Sequence, residues 1–197
     1  LSQDCANDVL IAFGANLSFA DQPPEVTIVQ AIRALAEQGL SVVRQSRMYR
    51  TPCFPRGAGP DYINAAACVI PRHEMTAQGM LAILHRVEET WGRARGGRWV
   101  GRTLDIDLLA YGGSVCPDPQ TQTLWRDLPF RDQLRLAPDQ LIVPHPRLQD
   151  RAFVLVPLAD VAPDWVHPML GLSVTQMLAL RPQEEVATVK ALPDVVE

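Results

Sequence analysis

Residues 9–111 alternate between strand-like and helix-like hydrophobic patterns in the order β-α-β-β-α-β, and few architectures accept that order. Val9-Leu10-Ile11-Ala12-Phe13 is a continuous apolar run closed by Gly14 and reads as a buried strand. Pro23 and Pro24 open a helix whose apolar stripe of Ile28, Ile32 and Leu35 ends at Gly39. Leu40 to Tyr49 reads as one strand, with β-branched Val42 and Val43. Pro52, Pro55, Gly57, Gly59 and Pro60 make residues 50–61 a loop, long enough to suggest binding. Tyr62 to Ile70 is a third strand, and Thr76 to Trp91 a second helix with Leu81, Leu84, Val87 and Trp91 at helical spacing. Gly92 to Arg102 is a loop rich in Gly and Arg, and Leu104 to Tyr111 is a fourth strand. The order predicts an α+β fold of the ferredoxin-like kind, an antiparallel sheet with both helices on one face.

Beyond Tyr111 the pattern weakens. Residues 112–140 form an insertion rich in Pro, Gln and Asp, expected to be a lid, an extra strand pair or a partly mobile segment. Leu141-Ile142-Val143 predicts a short strand leading into Pro144-His145-Pro146. Arg151 to Leu158 predicts a helix that stops at Pro157, Ser173 caps a last helix to Leu180, and residues 183–197 form a tail, weakly strand-like or disordered. With 197 residues, 47% hydrophobic and 20% charged, the whole chain is expected to be a single domain with its own core.

A net charge of -4 and a pI near 5.6 argue against a general nucleic-acid binder. Against that balance, Arg86, Arg93, Arg95, Arg98 and Arg102 crowd one stretch, which suggests a focused anion site. The four cysteines, Cys5, Cys53, Cys68 and Cys116, make no C-x-x-C pair and are expected to be free thiols in a reducing cytoplasm. Leu1 to Asp8 does not resemble a signal peptide, and a start at Leu1 rather than Met suggests a trimmed or engineered end. No apolar run approaches the roughly 18 residues that span a bilayer, so no membrane association is expected.

Asp105-Ile106-Asp107 lies on the fourth strand, where residues two apart share a face. Both carboxylates therefore project together, with Ile106 and Leu108 turned to the core. Two like charges this close repel unless a cation separates them. Mg²⁺ suits the position: it prefers hard oxygen donors, takes one or two carboxylates, and completes its shell with water and substrate phosphates. The plainer reading is a solvated strand edge bearing two charges. The arginine loop upstream favours the metal, because guanidinium forks match phosphate oxygens and stay charged. Together they are equipment for phosphoryl transfer. No Walker A sequence is present.

The segment Arg98-Trp99-Val100-Gly101-Arg102-Thr103-Leu104-Asp105-Ile106-Asp107-Leu108-Leu109 resembles the signature of the 6-hydroxymethyl-7,8-dihydropterin pyrophosphokinase family of folate biosynthesis. Phe13-Gly14-Ala15-Asn16-Leu17 is similar to that family's first strand and turn, and Ser46-x-x-Tyr49-Arg50-Thr51-Pro52 with Asp61-Tyr62-Ile63-Asn64-Ala65 to its second and third strands. Glu88 with Gly92-Arg93-x-Arg95 resembles its phosphate loop. Pro144-His145-Pro146-Arg147-Leu148 with Arg151-Ala152-Phe153-Val154-Leu155-x-Pro157-Leu158 resembles its C-terminal block.

The resemblance runs from about residue 9 to 165 and implies the reaction: transfer of the β,γ-pyrophosphoryl unit of ATP to the pterin's hydroxymethyl oxygen, releasing AMP. It implies two Mg²⁺ ions on Asp105 and Asp107, catalytic roles for Arg93 and Arg102, and ATP contacts from Arg95, Arg98, Trp99, His145 and Arg151. Trp99 would belong to a lid. Glu88, rather than Glu89, would face the active site on the ATP-binding side, as a base or as a group orienting arginines or the pterin. For the pterin, Tyr62 and Phe153 match the sandwiching positions. Asn64 can both donate to and accept from the ring edge, and Thr51, Pro52 and Phe54 would line the pocket. ATP and the pterin are the expected partners of a monomer.

Three departures from the family pattern stand out. Val100-Gly101 follow the tryptophan, and Gly96-Gly97 sit in a loop about one residue short, both bearing on lid motion. Residues 112–140 exceed compact members by roughly twenty positions. Gln140 stands where a basic residue is common, with Arg131 or Arg135 as possible substitutes. The competing readings are an RNA-binding module, which needs aromatics exposed on the central strands, and a pterin- or nucleotide-binding paralogue without turnover.

Overall fold

The computed structural model describes residues 8–55, 57–92, 102–133 and 135–193. Its elements are β1 (Val9–Ala15), α1 (Pro24–Glu37), β2 (Leu40–Gln45), β3 (Tyr49–Thr51), β4 (Tyr62–Pro71), α2 (Ala77–Thr90), β5 (Asp105–Tyr111), α3 (Pro119–Arg126), α4 (Phe130–Gln133), α5 (Ala152–Val161), α6 (Val174–Ala179), α7 (Gln183–Ala187) and β6 (Lys190–Ala191). The sheet runs β5-β1-β4-β3-β6, with β2 also paired to β4, and every pairing is antiparallel.

The alternation of side chains divides the core in two. Ile11, Phe13, Ile63, Ile106 and Leu108 pack with Ile28 and Leu35 of α1 and with Met80 and Leu84 of α2. Leu10, Ala12, Ala66, Cys68 and Leu109 pack on the other face with Leu155 and Leu158 of α5 and with Met177 of α6. Each fully buried Leu or Ile contributes about 1.5–3 kcal/mol by leaving water. Helices on one face therefore describe α1 and α2 only, because the C-terminal extension covers the opposite face. β1 and β4 are thereby buried on both sides, which leaves the RNA-binding reading without the open sheet it needs.

Five expectations are corrected. The strand expected over residues 40–49 divides into β2 and β3. Between them Ser46 bonds Ala66 twice: its N–H donates to Ala66 O at 2.9 Å, and its Oγ accepts from Ala66 N at 2.8 Å. A side chain takes over half of the ladder there, and the strand breaks. Residues 112–140, expected as an insertion, contain α3 and α4, with no strand pair among their described residues; Asp118 caps α3 by accepting from Thr121 N at 2.9 Å, and Pro119 occupies the first helical position. The strand expected at 141–143 is a single bridge, Cys116 to Val143. α5 does not stop at Pro157. Burial of Val154, Leu155, Leu158 and Val161 outweighs the one helical hydrogen bond that Pro157 removes. The tail from Gln183 contributes both α7 and β6.

His167 is fully buried in the turn before α6, edge-on to Trp165, with Nδ1 accepting from Met169 N at 3.1 Å. Burial, and secondarily the charge of Arg126, push its pKa down to about 4. Between that value and about 6.5 the unfolded chain binds the extra proton, so stability falls as pH is lowered through this window. Urea unfolding at pH 7 and pH 5 is expected to show a loss from this residue on the order of 1–2 kcal/mol. His167→Asn, which keeps the acceptor for Met169 N, should flatten the pH dependence; an unchanged slope would refute the assignment.

Candidate active site

β5 is an edge strand, and its burial alternates from Asp105 to Leu108 as the carboxylate pair requires. Asp105 and Asp107 are partly exposed, whereas Ile106 and Leu108 are buried against α1 and α2. The register then aligns a row of residues across three strands. Asp105 lies opposite Gly14, Gly14 opposite Asn64, and Asn64 opposite Tyr49. Directly opposed residues face the same way, so Asn64 and Asp105 share a face with only a glycine between them. At ~4.8 Å per strand their backbones stand roughly 10 Å apart. In the next row Asp107 lies opposite Ala12, and Ala12 opposite Ala66. Small residues thus form a floor flanked by carboxylates on one side and an amide on the other.

Thr51 and Tyr62 pair with each other and, two residues from Tyr49 and Asn64, share this face. Asn64 Nδ2 donates to Thr51 Oγ1 at 2.9 Å, and both side chains are buried. This bond fixes the amide and leaves Oδ1 beside Gly14. The Tyr62 hydroxyl is shifted above its ordinary pKa, first by burial; Arg102 opposes the shift, while Cys53 and Asp105 add to it. The ring therefore stands within the field of the carboxylate site. Phe153, 39% exposed, lies in the first turn of α5 over the same face, with the Arg151 guanidinium 5.7 Å from its ring centre.

Each carboxylate has a guanidinium. Arg102 pairs with Asp105, and Arg151 Nη1 lies 4.0 Å from Asp107 Oδ2. Arg102 is held from both sides by Asn16. Its carbonyl accepts from Asn16 N at 2.9 Å, its N–H donates to Asn16 Oδ1 at 2.8 Å, and Asn16 Nδ2 reaches Pro60 O at 3.2 Å. One buried asparagine thereby ties the end of β1 to the arginine loop and to the loop before β4. Its partners lie 86 and 44 residues away, and no local signal in the sequence points to them.

A bulge in β5, where the register with β1 shifts between Leu10 and Ile11, lies two residues beyond Asp107. Leu109 O accepts His145 N there at 2.8 Å. His145 Nδ1 accepts from Arg147 N at 3.1 Å, so the neutral imidazole carries its proton on Nε2. Desolvation, followed by the charges of Arg151 and Arg147, pushes its pKa down to about 3, with Asp105 opposing. The ring is a neutral hydrogen-bond donor near neutral pH.

Glu88 occupies a different position from the one the resemblance implied. It is buried to 1% exposure on α2, and its Oε1 accepts Ile106 N at 2.7 Å. That contact is with the strand backbone behind the carboxylates rather than with the open face. Pro52 and Phe54 stand on the exposed loop after Thr51. Pro52 lines a cleft of about 320 Å³ with Arg50, Asp61, Ala187, Thr188 and Lys190, and Phe54 is 67% exposed. Arg93, Arg95, Arg98 and Trp99, together with Gly96-Gly97 and Val100-Gly101, lie outside the described residues. Arg131 is exposed beside Asp132, so the structure gives it no place at the carboxylates.

Residues 10–163 match the family model for 7,8-dihydro-6-hydroxymethylpterin-pyrophosphokinase (HPPK). The chain belongs to this family. It is 36% identical over 177 residues to the 2-amino-4-hydroxy-6-hydroxymethyldihydropteridine pyrophosphokinase of Synechocystis sp., covering 89% of this chain and 76% of that protein. The protein of the same name from Haemophilus influenzae is 30% identical over 159 residues, covering 80% and 83%. The fold is similar to a crystal structure of HPPK-DHPS in complex with substrates (TM-score 0.64, 14% identity, 94% of this chain and 46% of that one). It is also similar to wild-type Plasmodium falciparum HPPK-DHPS (TM-score 0.60, 14% identity, 91% and 45%). The chain spans less than half the length of those two structures.

Replacing the Glu88 acceptor tests its part in holding the edge. Glu88→Ala leaves Ile106 N without its carboxylate and is expected to cost about 1–3 kcal/mol of stability. Glu88→Gln keeps an oxygen acceptor and should cost less. Equal losses in the two variants, measured by urea unfolding, would contradict this role.

Proposed function

We propose that this HPPK family member transfers the pyrophosphoryl group of ATP to the hydroxymethyl oxygen of 6-hydroxymethyl-7,8-dihydropterin, a step of folate biosynthesis, and that it does so in the cytoplasm as a single-domain monomer. Family membership supports the reaction. The free thiols of Cys53, Cys68 and Cys116 suit a reducing compartment. Among the described residues, no helix is long and apolar enough to cross a membrane. We read the sheet with α1 and α2 as a ferredoxin-like core to which residues 112–140 and the C-terminal helices are added.

The observation that carries the proposal is the row Asp105–Gly14–Asn64. It sets the Asp105 carboxylate and the Asn64 amide on one face with no side chain between them, which supports reading the first as a metal ligand and the second as a pterin contact. The pterin ring rests on that floor between Tyr62 and Phe153. Asn64 reads its pyrimidine edge, and Thr51, Pro52 and Phe54 border it. Its hydroxymethyl group then points at Asp105 and Asp107.

The donor set fits Mg²⁺. Asp105 and Asp107 offer hard oxygens from one face, and no cluster of three His, Cys, Asp or Glu able to hold a metal occurs among the described residues. These two carboxylates would hold the metal, and ATP phosphates and water would complete its shell. We propose two ions there, which when bound offset the triphosphate charge and polarise the β-phosphorus. The hydroxymethyl oxygen attacks that phosphorus, the bond from the β-phosphorus to the α,β-bridging oxygen breaks, AMP leaves with that oxygen, and the hydroxyl proton passes to solvent. Arg102 and Arg151 exchange their carboxylates for phosphate oxygens as ATP enters, and His145 donates from Nε2. Arg93, Arg95 and Arg98, with Trp99 in the lid, complete the anion site on the strength of the resemblance. We assign Glu88 to positioning β5.

AMP is expected to form from ATP only when both the pterin and Mg²⁺ are present. AMP without the pterin, or none with it, would overturn the proposal. Asp105→Asn and Asp107→Asn should each lower kcat by at least about 100-fold while the folded state is kept.

A further inference from the structure

Helix α3 is held in an unusual way. Of its eight residues, only Gln122 is buried, at 0% exposure, while Leu124 is 66% exposed. A helix this short is marginal unless packed by an apolar face, and this one turns Leu124 to solvent and buries Trp125 only in part. Its attachments are polar, and among the described residues they converge on one segment. Cys116, just before the helix, exchanges backbone hydrogen bonds with Val143 at 2.8 and 3.1 Å. Gln122 Nε2 donates to Pro144 O at 3.4 Å. Arg147 Nη1 donates to Arg126 O at 3.0 Å, the carbonyl of the last helical residue.

Those three anchor points bracket His145. Arg147 is itself only 9% exposed, and a buried guanidinium is expensive unless its contacts repay the desolvation. Here it caps the negative end of a helix with a charge-assisted bond. The backbone N–H of Arg147 donates to His145 Nδ1, while His145 N donates to Leu109 O. The imidazole is thus fixed at backbone and ring, and the ring contact comes from the residue that is tethered to α3.

We infer that α3 of the insertion is a brace for the nucleotide site and that Arg147 is a positioning residue, linking the end of α3 to the segment that orients His145. This rests on the reading of His145 as an ATP contact. Compact relatives lacking the additional residues of this insertion would have to hold the same histidine by other means.

The test uses the whole chain. Side-chain ¹⁵N NMR of the wild type should show His145 protonated on Nε2, and Arg147→Met should move it toward a mixture of tautomers. The same variant is expected to weaken binding of a non-hydrolysable ATP analogue about tenfold, as loss of one charge-assisted contact predicts. Pterin affinity should stay within about twofold, the two ligands having separate contacts. Arg147→Lys, which keeps the charge and one donor, should recover part of the loss. If Arg147→Met does not fold, Gln122→Met is read in the same way. An Nε2–H tautomer and an ATP affinity that are both unchanged in a folded variant would overturn the brace, as would equal losses for ATP and pterin. Failure of the wild type to bind the ATP analogue would instead overturn the nucleotide reading, with the tautomer measurement still judging the link from Arg147 to His145.

Discussion

An edge strand that carries two carboxylates on one face must be kept in register from its open side, and the site depends on how β5 meets that demand. Its inner edge pairs with β1. On the outer edge, Glu88 accepts Ile106 N and His145 donates to Leu109 O. Those two contacts bracket Asp107. A strand slipped by one residue would turn both carboxylates into the α1–α2 core and bring Ile106 to the surface. An ionised carboxylate buried without partners costs far more than any single contact here supplies. Electrostatics and hydrophobic burial therefore select the same register. Arg102 and Arg151 keep the carboxylates matched on the open face.

The two faces of the sheet use that register differently. Toward α1 and α2 the strands present Ile11, Phe13, Ile63 and Leu108, large side chains that make a dry core. Toward α5 the central strands present Ala12, Gly14 and Ala66. Small residues there cost apolar burial, and in return they leave space at the end of the sheet where α5 begins. Asn64 is buried in that zone without penalty because Thr51 accepts from its amide. Gly14 is needed for room rather than for backbone freedom. A methyl there would meet Asn64 Oδ1 at an ordinary 3.7 Å, yet it would occupy the floor between the amide and the carboxylate.

The parts of this arrangement that rest on local periodicity were legible in the sequence. The alternation of Asp105 to Leu108 and the apolar run from Val9 give strand and face directly. The row from Asp105 to Asn64 was not legible, because it depends on how segments some fifty residues apart pair. α3 was missed although Asp118-Pro119 is a sound start signal, since a helix whose buried residue is Gln122 shows no apolar stripe. Ser46 broke an expected strand by imitating a backbone group, which periodicity does not register. The contact that Glu88 makes was not legible, because its partner, a backbone N–H on an edge strand, exists only after the sheet has formed. Of the arginines in the loop before β5, Arg102 is placed beside Asp105, and Arg93, Arg95 and Arg98 lie outside the described residues.

The supports of the site lie partly outside the region that matches the family. β3 has only three residues, too few to hold Thr51 against Asn64 unaided. On one side it pairs with β4. On the other, β6 pairs Ala191 with Tyr49 and Lys190 with Arg50, and Leu192 N donates to Met48 O at 2.8 Å. The Tyr49 hydroxyl then donates to Asp160 Oδ2 of α5 at 2.7 Å. The same strand that presents Thr51 is thus fastened to the helix that carries Phe153 and to a segment beyond residue 163, where the family match ends. Pyrophosphokinase chemistry needs only the row of matched residues, but holding that row to ångström tolerance needs its neighbours. In this chain those neighbours include the C-terminal tail beside β3 and, on the inference drawn above, α3 beside the segment that carries His145. The row is therefore held by different segments at its two ends, one beyond residue 163 and one within the region that matches the family.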